Sequence, residues 1–193
     1  MNPWEDELVD PFLAEIGGED VSPLVRALSA DEAAPRVSLK DAILSKLSAT
    51  GRFDRFIDRV SELLDVPPDG AKAMLDAIHI DDSWHTGLLP DVHLYDVDGG
   101  PSVQNAITGF VRMAQGTPFP EHEHVGEETA LIIQGSAVDN HGELWRVGDV
   151  VVMNPGTDHS FQARPGPDLL FLVVVQQGLK IGELELGPDT YNL

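Results

Sequence analysis

A chain of 193 residues with 33 acidic against 12 basic side chains carries a formal charge of -21. Its length admits one domain with a sizeable core plus a small attachment, and excludes two large domains. The charge argues against direct nucleic-acid binding, which needs clustered Lys and Arg to displace counterions, and the absence of cysteine removes disulfides, thiolate metal sites and redox thiols.

The first residues lack the basic start and apolar stretch of a secretion signal, and no run approaches ~18 apolar residues. A soluble cytoplasmic protein without membrane contact is expected. Residues 1–35 gather Glu5, Asp6, Glu7, Asp10, Glu15, Glu19, Asp20, Asp31 and Glu32 against the single base Arg26. This composition reads as a partly ordered acidic arm. Trp4, Leu8, Phe12, Leu13 and Ile16 fall at roughly helical intervals, so an amphipathic helix docked on a partner or sister subunit is the alternative.

A helical segment is expected over 36–80. Ser38 can cap a helix carrying Leu39, Ile43 and Leu47. After Gly51, Phe53, Phe56, Ile57, Val60, Leu63 and Leu64 step by three and four into one apolar stripe, with Asp54, Arg55, Asp58, Arg59 and Glu62 on the wet side. Pro67 and Pro68 stop that helix, and Pro68 can open a third whose apolar face is Ala71, Met74, Leu75 and Ile78. The exposed set Asp69, Gly70, Lys72, Ala73 and Asp76 suits neither phosphates nor base edges. The segment therefore reads as a packing or partner-contact element, not a DNA reader.

From about Leu88 the period changes to two and the punctuation to Gly, Pro and Asp, which predicts short strands joined by turns over 88–186. Strands are expected at 92–97, 105–114, 120–125, 128–134, 136–139, 143–147, 149–153, 159–164, 169–176 and 179–185. Asp139 to Glu143 reads as a hairpin turn with Asn140 and Gly142 suited to positive φ, leaving His141 at a loop tip. The runs Val150–Met153 and Leu169–Val175 are apolar on both faces, as strands buried between two sheets would be. The fold class is mainly β: a two-sheet jelly-roll barrel preceded by a small helical segment.

The chemistry concentrates in one run. His122 and His124 are two apart, so a strand points both at one ion. Glu128 keeps the same parity, whereas Glu127 faces away. The fourth ligand is sought where a buried strand and a Pro-Gly turn lead into His159. His79, His85, His93 and His141 are read as surface or packing histidines. Three imidazoles and one carboxylate suit one divalent ion per chain, iron, manganese, nickel or zinc, and do not suit copper(I) or calcium. Inward parity continues through Ala130, Ile132 and Gln134, and through Phe161 and Ala163, so the wall is largely apolar. No spare acid or base stands there, though Arg112 and Tyr95 lie on neighbouring strands.

The spacing of Gly116, His122, His124, Glu128 and Gly135 resembles the first signature of the cupin superfamily at every fixed position. Gly148 to His159 resembles the second signature, with Asn154 where proline is usual and Ala163 where asparagine is usual. The resemblance implies a jelly-roll barrel and a metal held by His122, His124, Glu128 and His159. Residues 35–180 are further similar to the cupin half of ChrR-type anti-sigma factors and the linker before it. In that family an N-terminal His/Cys zinc domain holds a sigma factor, and the cupin half binds its own metal and responds to oxidative signals. With no cysteine and no histidine before His79, the family's first zinc site is missing here.

Three functions follow as expectations: a metal-binding regulator or sensor that answers to a small molecule or oxidant, with a sigma factor as the partner that the resemblance implies; an iron-dependent dioxygenase acting on a small organic substrate; and a structural-zinc dimerisation module. Enzymatic activity stays open between them. A homodimer is expected in all three, with Val92–Val97 as the pairing edge.

Overall fold

The computed structural model describes residues 51–87 and 89–190. All of them fall in the second of two compact units, Lys46–Leu193. The expected acidic arm and the helix beginning near Ser38 lie outside the described residues.

A short 3-10 turn at Asp54–Phe56 leads into α1 (Ile57–Leu64), and α2 spans Pro68–Ala77. α1 ends where Asp65 takes the left-handed conformation at φ 54°. Pro67 then stays extended at ψ 153° and Pro68 occupies the first turn of α2, where its missing N–H costs nothing. Val60 and Leu64 of α1 and Ala71 and Leu75 of α2 are fully buried or nearly so.

Twelve strands follow: β1 (His85–Thr86), β2 (Val92–Asp96), β3 (Ala106–Met113), β4 (Pro118–His124), β5 (Glu128–Gln134), β6 (Ser136–Asp139), β7 (Leu144–Arg146), β8 (Val150–Met153), β9 (Asp158–Ala163), β10 (Leu169–Gln176), β11 (Leu179–Ile181) and β12 (Leu184–Leu186). One six-stranded sheet runs β1-β2-β3-β10-β5-β8 and the other β12-β11-β4-β9-β6-β7, with every pairing antiparallel. This is the expected mainly β, two-sheet jelly-roll fold with a short helical segment before it.

The sandwich has two apolar cores. Inside the barrel, Ile107, Val111, Ile132, Phe161, Phe171 and Val173 meet between the sheets. On the outer face of the first sheet, Phe110, Leu131, Ile133, Leu170, Leu172 and Val174 pack against Phe56, Val60, Leu64 and Leu75.

Five expectations need correction. The run Leu169–Val175 is buried on both faces, but only its odd-numbered residues face the second sheet, and the even-numbered ones face the helical segment. Val150–Met153 is buried on one face only, because β8 is the outermost strand of its sheet: Val150 and Val152 are 45% and 50% exposed, while Val151 and Met153 pack inward. β2 is not the outermost strand, since the two-residue β1 pairs with it through His85 opposite Leu94 and Thr86 opposite His93, so the expected edge Val92–Val97 is covered over its first half. The single strand expected at 179–185 is a hairpin, turned by Gly182 at φ +58°, with Ile181 opposite Leu184. In the turn after Asp139 only Gly142 takes positive φ; Asn140 does not, because the Asp139 carboxylate accepts from the backbone N–H groups of His141 and Glu143 and shapes the turn itself.

Candidate metal centre

β4 and β9 pair with His122 directly opposite His159 and Phe119 opposite Phe161. Between these two pairs β4 carries an irregularity that spans Pro120 and Glu121. Such a bulge adds a residue to one strand and resets its facing. Phe119 and His122 can therefore both turn inward although their numbers differ in parity. Pro120 suits the position because it has no N–H to leave unpaired, and its carbonyl accepts from His122 Nδ1 at 3.0 Å.

His124 ends β4 and Glu128 opens β5. The chain between them presses on β10, for a Cβ on Gly126 would lie 2.2 Å from the Gln176 carbonyl oxygen. That close approach brings Glu128 beside Val175 of β10 and turns its carboxylate into the barrel. Glu127 is exposed.

The four side chains named from the sequence converge. His122, His124, Glu128 and His159 are all buried, and one nitrogen or oxygen atom from each lies within 4.8 Å of the others. His122 Nε2 is 2.9 Å from His159 Nε2 and 3.9 Å from Glu128 Oε2, and His124 Nε2 is 3.5 Å from Glu128 Oε2. Donor atoms that share an ion at about 2.1 Å stand roughly 3.0 to 3.4 Å apart in octahedral or tetrahedral arrangements, so the spacing fits one first-row divalent ion.

The hydrogen bonds behind the rings support the same reading. Nδ1–H of His122 donates to Pro120 O, and Nδ1–H of His124 donates to Thr157 O at 2.9 Å and lies 3.2 Å from Thr157 Oγ1. Each bond leaves the Nε2 lone pair facing the cluster, as backbone carbonyls do for ligating histidines. His124 Nε2 is buried with no hydrogen-bond partner, and Glu128 Oε2 lies 3.5 Å from it. A buried nitrogen is costly without a partner, and a cation at the cluster would satisfy it.

Electrostatics divide the four groups. Burial holds His122 below the ordinary imidazole value, with Glu128 opposing. Burial and the neighbouring His122 push His159 down to about 4. Burial also works against a charged His124, but the Glu128 carboxylate outweighs it and raises that imidazole. Glu128 itself stays below the ordinary carboxylate value despite burial, held there by His124 and the other imidazoles. At neutral pH His122 and His159 are neutral donors, and an ion entering the site displaces at most the proton on His124.

A cavity of about 90 Å³ adjoins the cluster. His122 and Glu128 reach it from one side; its other walls are aliphatic and aromatic, among them Ile107, Val111, Phe119, Phe161 and Val173. The candidate base Tyr95 stacks on Phe110 and packs against the outer core, and Arg112 lies over Trp84. Neither lines the cavity. His141 and His79 are exposed, the latter stacked on Phe53, and His85 pairs with Asp96 on the surface. Gln134 turns away from the wall and bonds Arg52 and the Asp168 carbonyl.

Sequence reading missed Phe119, Thr157 and Trp145. Phe119 stacks on Phe161 and meets the edge of His122, and Trp145 lies 5.5 Å from the His159 ring, centroid to centroid. The prolines on both sides of Phe119 were the available signal for a bulge. Trp145 gave none, since its strand has three residues and follows a polar turn.

Residues 84–178 match the ChrR Cupin-like domain. Among solved structures, the chain is similar to the Rhodobacter sphaeroides SigE complex with the anti-sigma ChrR, at 20% identity, with 88% of this chain and 82% of that chain covered and a TM-score of 0.49. It is also similar to an RmlC-like cupin protein from Ralstonia eutropha, at 24% identity over 55% of this chain and 68% of that one, TM-score 0.45. An acetylacetone dioxygenase from Acinetobacter johnsonii matches at 12% identity over 58% and 84% of the two chains, TM-score 0.49. No curated protein sequence matches significantly.

Proposed function

We propose that the chain is a metal-binding regulator or sensor in which His122, His124, Glu128 and His159 hold one divalent ion. The convergence of these four buried groups, with Nδ1 of His122 and His124 tied to backbone carbonyls, carries the reading. Bound there, zinc, iron, manganese or nickel would supply Lewis acidity, and iron redox chemistry as well. The protein's own residues hold the donors in place and keep water from the apolar side of the site.

The route to a partner runs through shared strands. β5 and β10 carry Glu128 and the cavity wall on one face, and on the other face pack against the helical segment. In this proposal an acidic arm (1–35) and a helical segment (36–80) form the contact-making part and the barrel (88–186) the sensing part. A sigma factor is the proposed partner on the family match, and a homodimer the proposed assembly. Metal analysis of protein purified from its own host without added metal tests the reading. About one ion per chain is expected, and a metal-free chain that takes up none on titration refutes it.

An iron-dependent dioxygenase is the second reading, favoured by an apolar cavity that touches His122 and Glu128 and needs no additional base. Substrate-dependent oxygen uptake by iron-loaded protein over a panel of small dicarbonyl and thiol compounds decides it. No uptake across that panel leaves the regulator.

A further inference from the structure

The cavity beside the cluster restricts the chemistry of what can enter. We propose that it takes a small organic monoanion, with a compact apolar body of about three to four heavy atoms and one oxygen-donor head, the size scaled from a cavity of 150 Å³ that accepts benzene. This rests on the metal-binding reading above.

The size follows from the 90 Å³ of the cavity and the half-buried rim formed by Gly87, Leu89, Leu94, Phe119 and Ile181. The body follows from the walls. His122 and Glu128 are the polar groups among the described lining residues, and both belong to the cluster. A ligand hydroxyl or amide placed against Ile107, Val111, Phe171, Val173 or Val175 would lose its water and gain no partner. Sugars and polyols are therefore disfavoured.

The single charge follows from the cluster. A divalent ion with Glu128 as the one anionic donor leaves one net positive charge, which a single anionic head neutralises. A second carboxylate would point into the apolar wall, where the described lining residues include no Lys or Arg. The head enters on the side where His122 and Glu128 meet the cavity, and the body fills the space between β3, β10 and the Phe119–Phe161 stack.

Titration calorimetry of the zinc-loaded full chain tests this with butyrate, succinate and glycerol as probes. Zinc content is measured first, so a chain that retains no zinc overturns the metal-binding reading before any ligand is added. With zinc in place, butyrate is expected to bind at least tenfold more tightly than succinate or glycerol, and the metal-free chain to bind none of them. Val173→Phe and Val111→Phe, which fill the cavity from β10 and β3, should each weaken butyrate at least tenfold with zinc stoichiometry unchanged; where one variant does not fold, the other decides. Succinate or glycerol binding as well as butyrate, butyrate binding without zinc, or butyrate binding unchanged in the folded cavity-filling variant would overturn the proposal.

Discussion

The two faces of β10 show what separates a stabilising core from a functional one. Leu170, Leu172 and Val174 point outward and meet helical side chains that fill the gaps between them. Leu169, Phe171, Val173 and Val175 point inward, where the facing layer is another sheet. Sheets pack about 10 Å apart; across that gap lie a buried polar cluster and an unfilled cavity. The residues are apolar on both faces, Leu and Val with Phe171 added on the inner one. Only the layer opposite decides whether they exclude all space or enclose some.

The comparison breaks most visibly at the cluster. His159→Ala is expected to weaken metal binding by more than about 100-fold, since loss of an outer hydrogen-bond partner alone costs 10–100-fold, while His141→Ala leaves it unchanged. Equal loss in both, by metal analysis after dialysis, would mean that the inner face holds no defined site.

On the outer face, Leu172→Ala should cost about 2–5 kcal/mol in denaturant unfolding, as a fully buried leucine does, with metal affinity within about twofold. Val173→Ala, one residue along and facing existing space, should cost only about 1 kcal/mol. Equal costs would show that the two faces are equally packed.

Acid sharpens the contrast next. His159 has a folded-state value of about 4, below the unfolded value near 6.5. The folded chain therefore binds fewer protons than the unfolded one in that window. The contribution of His159 to the stability of the metal-free protein should be complete above about pH 6.5 and fall by up to about 3 kcal/mol as pH drops toward 4. His159→Ala should remove this contribution, and a pH series of unfolding midpoints for the parent and the variant measures it.

The smallest effects lie at the exposed positions Thr157 and Val152. Thr157→Val removes a hydroxyl near His124 Nδ1 but keeps the carbonyl that accepts at 2.9 Å, so metal affinity should change by less than about tenfold. Val152→Thr, on the exposed face of β8, should stay within about 0.5 kcal/mol of the parent.

Much of this was legible in the chain. Period-two patterning placed most of the strands, and β5, β6 and β10 run over the expected residues. The glycine and histidine spacing picked out four side chains that the fold brings together; the shared facing of His122 and His124 on β4 is a local property, while Glu128 on β5 and His159 on β9 join them through the fold. The break after Leu64 was equally local, set by Pro67 and Pro68.

What lay beyond the sequence depended on which layer faces which. An apolar strand reads the same whether a sheet, a helix or solvent covers it, so the helix-covered face of β10 and the open face of β8 could not be told apart in advance. The bulge at Pro120 and Glu121 shifts facing only relative to a partner strand, which hid Phe119 from a parity argument. Trp145 reaches His159 across the sheet from a three-residue strand, a contact without local sequence period. Sequence chemistry thus named the donors, while tertiary packing alone decided that they meet and that an apolar cavity, and not a filled core, lies beside them.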